Sequence, residues 1–193
     1  MITEFSQCDE ALINKLRGLV IDGEEVTVLY INPEKEFVTS KYPAIAVYRS
    51  GVYPDNYRWT NDIFYDNLTY NEEGLPSTVD EREAPVPYNL YYGIRIYYKY
   101  QEDGAKLSTY INSVLKRGAY IEIGGDKYDI LLVSYKNPNA TYKDFGEQRE
   151  KEDREFVEQY LYRLEIELDI SQRTTKKLSE ELIIRTKTDT TQP

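Results

Sequence analysis

Pro87-Tyr88-Asn89-Leu90-Tyr91-Tyr92-Gly93-Ile94-Arg95-Ile96-Tyr97-Tyr98-Lys99-Tyr100 alternates with a period of two. Leu90, Tyr92, Ile94, Ile96, Tyr98 and Tyr100 fall on one side. Asn89, Tyr91, Gly93, Arg95, Tyr97 and Lys99 fall on the other. Successive side chains of a strand point to opposite faces, so the stretch predicts a long, half-buried β-strand. After Gln101-Glu102-Asp103-Gly104 the period changes. Leu107, Ile111, Val114 and Leu115 are spaced as one face of a helix over Ala105–Arg117, with Asp103 as its expected N-cap. Lys116, Arg117 and Gly118 suit its C-terminal end, where the dipole is negative and a glycine often terminates the turn. A strand feeding an amphipathic helix defines a sheet-plus-helix domain, and the rest of the chain is expected to pair with this strand or pack on this helix.

Upstream, Leu12, Leu16 and Leu19 predict a helix over Asp9–Val20, closed by Asp22-Gly23. Glu25–Ile31 reads as a strand apolar on both faces, hence covered on both sides. Asn32-Pro33 breaks it, and Ala44–Arg49 is a second strand entered through Tyr42-Pro43. Downstream, Ala119–Ile123 and Tyr128–Tyr135 are strands joined by a turn at Gly124-Gly125-Asp126-Lys127, since glycine supplies the positive φ such turns need. Asn137–Glu155 is polar and reads as a connection, with a solvated helical turn at Glu147–Glu155. Tyr160, Tyr162, Leu164, Ile166, Leu168 and Ile170 alternate with polar neighbours and give a last long strand with one wet face.

Two segments stand outside this pattern. Gly51–Pro87 is too long for a plain loop in a compact domain. Its first half holds Tyr53, Tyr57, Trp59, Ile63, Phe64, Tyr65, Leu68 and Tyr70, an expected hairpin. It packs either on its own sheet or on a neighbouring subunit, with Tyr57, Trp59, Phe64 and Tyr65 as anchors in the second case. Its second half, Asn71–Pro87, is acidic and rich in breakers, and is expected to be a mobile loop. Eight acidic and two basic residues give the insertion over half of the chain's net charge of −10. Ser171–Pro193 is polar, with five basic and three acidic residues and one apolar knot, Leu182-Ile183-Ile184. It is expected to be an assembly arm whose knot adds a strand to an exposed sheet edge. The expected domains are thus 1–170, with the insertion 51–87, and the arm 171–193. The fold class is α+β: a mixed, mainly antiparallel sheet of five to six strands flanked by two helices.

Composition limits the chemistry. The chain has no histidine and a single cysteine, Cys8. That removes Ser-His-Asp and Cys-His catalysis, histidine metal sites and zinc clusters, so no catalytic residue, metal or cofactor is expected. Cys8 reads as a small buried hydrophobe. With 34 acidic residues, chance carboxylate pairs are certain, and none stands out as an acid–base site. The acidic balance argues against a dedicated nucleic-acid binder. No apolar run is long enough for a membrane span, and the N-terminus lacks the pattern of a signal peptide. Twenty tyrosines against five phenylalanines are the unusual entry in the composition. Tyrosine suits surfaces that are wet before assembly and buried after it, and it also simply favours strands.

Pro85-Val86-Pro87-Tyr88-Asn89-Leu90 entering an alternating strand, the charged turn Glu102-Asp103-Gly104 before a short helix, the Tyr42-Pro43-Ala44 entry and the last strand Tyr160–Ile170 carry a resemblance. Over roughly residues 9–170 the chain resembles the tail terminator (tail completion) proteins of long-tailed bacteriophages. The long insertion and tail look more like the terminators of contractile tails. The resemblance implies a structural, non-enzymatic virion protein of the tail and neck, assembled in the host cytoplasm. It implies a homo-hexameric ring that caps the tail tube protein, ends tube growth and meets a head-side stopper or connector protein, with the tail sheath as a further partner in the contractile type. DNA would pass through an acidic lumen without specific binding. A head-completion or stopper protein of the neck is the alternative within the same assembly, and a carboxylate-based soluble enzyme the alternative from another class.

Overall fold

The computed structural model describes residues 2–32, 41–60, 62–72, 74, 76–141, 155–169 and 174–177. In chain order the elements are α1 (Phe5–Leu16), β1 (Val20–Ile21), β2 (Glu24–Glu25), β3 (Thr27–Tyr30), β4 (Ala44–Pro54), β5 (Ile63–Tyr70), β6 (Pro76–Glu83), β7 (Val86–Tyr98), α2 (Gln101–Val114), β8 (Tyr120–Ile123), β9 (Asp126–Thr141), β10 (Glu155–Leu168) and β11 (Thr174–Lys177). The fold is α+β. They fall into two compact units. One holds residues up to Asp55 together with Pro87–Leu168. The other holds Asn56–Val86 with the chain from Asp169 onward.

The first unit is a six-stranded sheet of order β3-β4-β7-β10-β9-β8 with α1 and α2. β3 pairs parallel with β4, while β4–β7, β9–β10 and β8–β9 are antiparallel. The predicted central strand is β7, and it lies third in the sheet. Leu90, Tyr92, Ile94, Ile96 and Tyr98 are buried in one cluster with Ile45 and Val47 of β4 and Tyr160, Tyr162, Leu164, Ile166 and Leu168 of β10. Cys8, Leu12 and Leu16 of α1 and Leu107 and Ile111 of α2 close the cluster from above. α1 touches β3 and β8, the two edge strands, so the sheet curls around it.

The other face of β7 is also covered. Gly93 lies directly across from Tyr48, and the Tyr48 ring rests on the glycine's backbone. The Arg95 guanidinium stacks on the same ring at 4.8 Å, and Gln159 Nε2 donates to the Tyr48 hydroxyl at 2.8 Å. Only the missing Cβ of Gly93 leaves room for that ring. Gly104 does the same for the Tyr98 ring at the start of α2.

Several boundaries differ from the sequence reading, each for a local reason. α1 begins at Phe5, before Asp9, because the Gln7 side chain accepts from the backbone N–H groups of Thr3 and Glu4 at 2.9 and 3.2 Å and fixes the first turn there. It ends at Leu16, as Arg17 is extended and Gly18 takes φ +93°. α2 begins at Gln101, so Asp103 is a first-turn residue near the positive dipole end and not the cap. Tyr100 leaves the strand pattern and is exposed. β3 is an edge strand rather than a doubly covered one, with Leu29 and Tyr30 exposed. The β8–β9 turn tightens to Gly124-Gly125, both at positive φ, with Ile123 opposite Asp126. β9 runs on to Thr141 through part of the expected connection, and β10 starts at Glu155. The helical turn expected at Glu147–Glu155 lies outside the described residues, apart from Glu155, which is a strand residue.

The second unit is a three-stranded sheet of order β11-β6-β5, antiparallel throughout. The expected mobile loop contains β6. Its alternation of threonine, valine and carboxylates supports a ladder with a wet face, and Val79 is buried. The chain reaches this hairpin by prolonging two core strands: Gly51–Pro54 pair with Tyr91–Tyr88, and Asp55 N–H donates to the Pro87 carbonyl at 2.9 Å. The insertion therefore groups with a strand of the tail, β11, where the sequence reading attached it to the first domain and set the tail apart.

Substituting Gly93→Ala should lower unfolding stability by about 1–3 kcal/mol, the usual penalty for overfilling a packed site. Urea denaturation checks this, and combining it with Tyr48→Ala should recover part of the loss. Equal stability of Gly93→Ala and the parent would contradict the packing described.

Candidate assembly interface

The predicted anchors lie on the surface, Tyr57 and Trp59 in the segment before β5 and Phe64 and Tyr65 on β5. Tyr57 is fully exposed, and Trp59, Phe64 and Tyr65 are 48%, 44% and 63% exposed. Ile63, Leu68 and Tyr70 of β5 are about as open. The strand alternates its side chains between two faces, so neither face of β5 is dry. Phe64 is held by the Arg82 guanidinium at 5.5 Å, and Arg82 lies 3.4 Å from Asp169. The hairpin is kept in register by Thr69 and Thr78, whose hydroxyls bond across the strands. Asn67 takes φ +52°, a conformation asparagine tolerates, and bulges β5 while its amide donates to Asp80 at 2.9 Å. Leu182, Ile183 and Ile184, the other predicted contacts, lie outside the described residues.

A second open apolar run, Leu131-Leu132-Val133 with Tyr135, lies on β9. The sequence reading assigned this stretch to a strand and gave it no further role. Its three consecutive apolar residues face both sides of the ribbon and were the available signal.

Sequence reasoning also missed the polar centre of the first unit. Glu158 of β10 is buried, and its carboxylate accepts from Tyr98 Oη (2.8 Å), Ser108 Oγ (2.7 Å), Tyr135 Oη (3.1 Å) and Tyr160 Oη (3.2 Å). Tyr98 donates to Oε1 and the other three converge on Oε2, so both carboxylate oxygens are engaged. The donors come from β7, α2, β9 and β10, so a single side chain joins four elements. Glu158 has the same strand parity as Tyr160 and Tyr162, which marks it as inward facing. A lone acidic letter among the many of this chain carried no such signal.

Near the other end of the helix layer, Asp9 of α1 accepts from Tyr92 Oη at 2.6 Å, with Arg49 Nη1 at 3.6 Å. Burial pushes the neighbouring Cys8 thiol up to about 12, which leaves it protonated and unreactive at neutral pH. A cleft of about 390 Å³ is lined by Lys15, Ser113, Val114, Lys116, Gly118, Ala119 and Tyr120. Its lining offers two lysines and the hydroxyl-bearing Ser113 and Tyr120 but no carboxylate. Among the described residues no group of histidine, cysteine and carboxylates is placed to hold a metal ion.

No family model matches the sequence. Among curated proteins, Bacteriocin BCN5 of Clostridium perfringens is similar, at 33% identity over 87 residues. The match covers 38% of this chain and 9% of the bacteriocin, so the chain spans about a tenth of that relative's length.

The buried tyrosines set an alkaline limit. Burial raises the Tyr162 hydroxyl from 10 to about 12. Tyr98 is raised by burial and by donating to Glu158, and Tyr160 and Tyr92 are raised chiefly by burial. Above pH 10 the unfolded chain releases these protons while the folded one keeps them. Unfolding stability is therefore full below pH 10 and falls as pH rises from 10 toward 12, by about 1.4 kcal/mol per unit for each such tyrosine. Urea midpoints at pH 8, 10 and 11 should drop in that order beyond pH 10, and tyrosinate absorbance should lag until the chain unfolds. A flat midpoint to pH 11 would contradict the burial of these hydroxyls.

Proposed function

We propose that this chain is a structural subunit of a bacteriophage neck: a tail terminator that closes into a ring of six on the end of the tail tube, stops its growth and presents a platform to the head-side connector. The observation that carries the reading is the density of open apolar side chains in the short hairpin unit, where seven large ones, from Tyr57 to Tyr70, stand in water, with a further open run at Leu131-Leu132-Val133 on β9 of the α+β unit. Soluble monomers rarely leave such a cluster uncovered. Tryptophan and tyrosine are the residues that dominate interface energies. The motif resemblance around Pro85–Leu90, Glu102–Gly104 and Tyr160–Ile170 supplies the class of assembly.

The mechanism is geometric. One face of the ring matches the stacking surface of a tube subunit and the other does not, so addition of tube subunits ends there. The net charge of −10 suits a ring through which DNA slides, because carboxylates repel phosphates. The tail sheath is a further partner if the tail is contractile.

The test is to add the full-length protein to polymerising tail tube subunits. Tube elongation should stop, and native mass spectrometry should find six copies per capped end. Continued elongation at the unchanged rate, or binding to portal and adaptor rings instead of tubes, would overturn the reading, the second result in favour of a stopper protein. The double variant Trp59→Ala with Phe64→Ala should fold normally, since both side chains are open in the free protein. It should weaken capping at least about tenfold, as the loss of two aromatic anchors typically costs more than 1.4 kcal/mol.

A further inference from the structure

Around the cleft beside Tyr120 the charge of the chain reverses. Residues 11–21 and 105–121 hold Lys15, Arg17, Lys106, Lys116 and Arg117 and no carboxylate, although 34 of the 193 residues are acidic. α1 brings Lys15 to the cleft, the end of α2 brings Ser113, Val114 and Lys116, and β8 begins with Tyr120. Lys127 of β9 reaches the same ring. Its Nζ lies 4.6 Å from the Tyr120 centroid, and that of Lys15 lies 5.3 Å from it. The two ammoniums are no farther apart than these lengths end to end, about one Debye length at 0.1 M salt. Among the described residues neither of them, nor Lys116, has a carboxylate partner. Glu122 and Asp129 share the outer face of the hairpin, opposite Lys127 and Tyr120, and pair with none of the three lysines. Lysine near the end of a helix complements the dipole, which accounts for Lys15 and Lys116 singly. It does not account for Lys127, which comes from a strand, or for three cations gathered without a counter-charge. The floor between them is apolar: Ala119 belongs to the core cluster and Val114 packs against it.

We infer that this cleft binds an acidic peptide segment of a partner protein. An apolar side chain of the segment enters over Val114, Ala119 and the Tyr120 ring, and carboxylates on either side of it meet Lys15, Lys116 and Lys127. Charge complementarity selects this occupant. The cleft, at about 390 Å³, is at the lower end of ligand-site volumes, so a short segment fills it. A long polyanion such as nucleic acid would extend beyond the lysines and meet a chain of net charge −10. The site lies wholly in the α+β unit and depends neither on the ring nor on the aromatic hairpin.

The test titrates the full-length protein with a synthetic peptide in which one leucine is flanked by glutamates, read by calorimetry at low salt. Saturable binding is expected, and added salt should weaken it. Lys15→Gln combined with Lys127→Gln should lower affinity by about tenfold. Lys99→Gln with Lys136→Gln removes the same charge elsewhere, Lys99 being stacked on Tyr42, and should leave affinity within about twofold. All four lysine side chains are exposed, so both double variants should fold. Amine acetylation read by mass spectrometry should show Lys15, Lys116 and Lys127 shielded by the peptide and Lys99 unchanged. No binding, equal loss in the two double variants, or equal binding of a peptide with glutamines in place of the glutamates would overturn the inference. Tighter binding of a single-stranded oligonucleotide, shielding the same three lysines, would overturn the acidic-peptide assignment in favour of a phosphate ligand. None of these results bears on ring formation, which the tube-capping assay reads separately.

Discussion

The ladder between β4 and β7 is the constraint on which the rest depends. Ten residue pairs run from Ala44–Tyr97 to Pro54–Tyr88, with one irregularity between Arg49 and Gly51. Its first half is core on both faces. Ile45, Val47, Ile94 and Ile96 are buried under the helices, and Ala44, Ala46, Tyr48 and Gly93 pack tightly on the opposite side. Its second half still reaches α1, where the Tyr88 ring meets Phe5 edge-on at 5.3 Å and Leu90 is buried in the core cluster. One continuous set of backbone bonds thus carries the core of the α+β unit out to Pro54 and Tyr88.

Polar chemistry inside the first unit acts in the same direction. Glu158 and its four hydroxyl partners sit where β7, β9, β10 and α2 converge. A buried carboxylate is costly unless it is hydrogen-bonded, and here both oxygens are, by donors from β7, α2, β9 and β10. Asp9 plays a smaller version of this part between α1 and β7. The tyrosine excess therefore has two physical uses in one molecule. Tyr92, Tyr98, Tyr160 and Tyr162 are core residues, three of them with a polar tip held by a carboxylate, while Tyr57, before β5, and Tyr65 and Tyr70, on it, stand in water. Composition alone left these two uses undivided.

Much of the fold was legible because it rests on periodicity. The alternation of Leu90–Tyr98 and Tyr160–Leu168 named the inner faces of β7 and β10, and Leu107, Ile111 and Leu115 named the face of α2. What escaped was set by single contacts that leave no period. The first turn of α1 is placed by Gln7, not by the leucines. The tight Gly124-Gly125 turn and the Tyr48–Gly93 contact are choices of one or two residues. β6 was hidden because carboxylates and proline dominate Pro76–Glu83, and its pairing with β5 and β11 outweighs their weak strand propensity. The exposed aromatics Tyr57, Trp59, Phe64 and Tyr65 were legible as a cluster, since their number is what sets them apart. Glu158 was not, because its inward parity with Tyr160 and Tyr162 is outweighed by its being a carboxylate at the start of the run, where a charged residue reads as solvated.

Hydrogen–deuterium exchange of the amides across Ile63–Tyr70, in the free protein and on capped tubes, tests most directly whether the hairpin unit is the surface of assembly. An edge strand left open exchanges fast, and one taken up by a neighbour exchanges slowly. Strong protection of β5 on assembly, with β7 equally slow in both states, is the expected result. Exchange of β5 that stays as fast on capped tubes as in the free protein would contradict it.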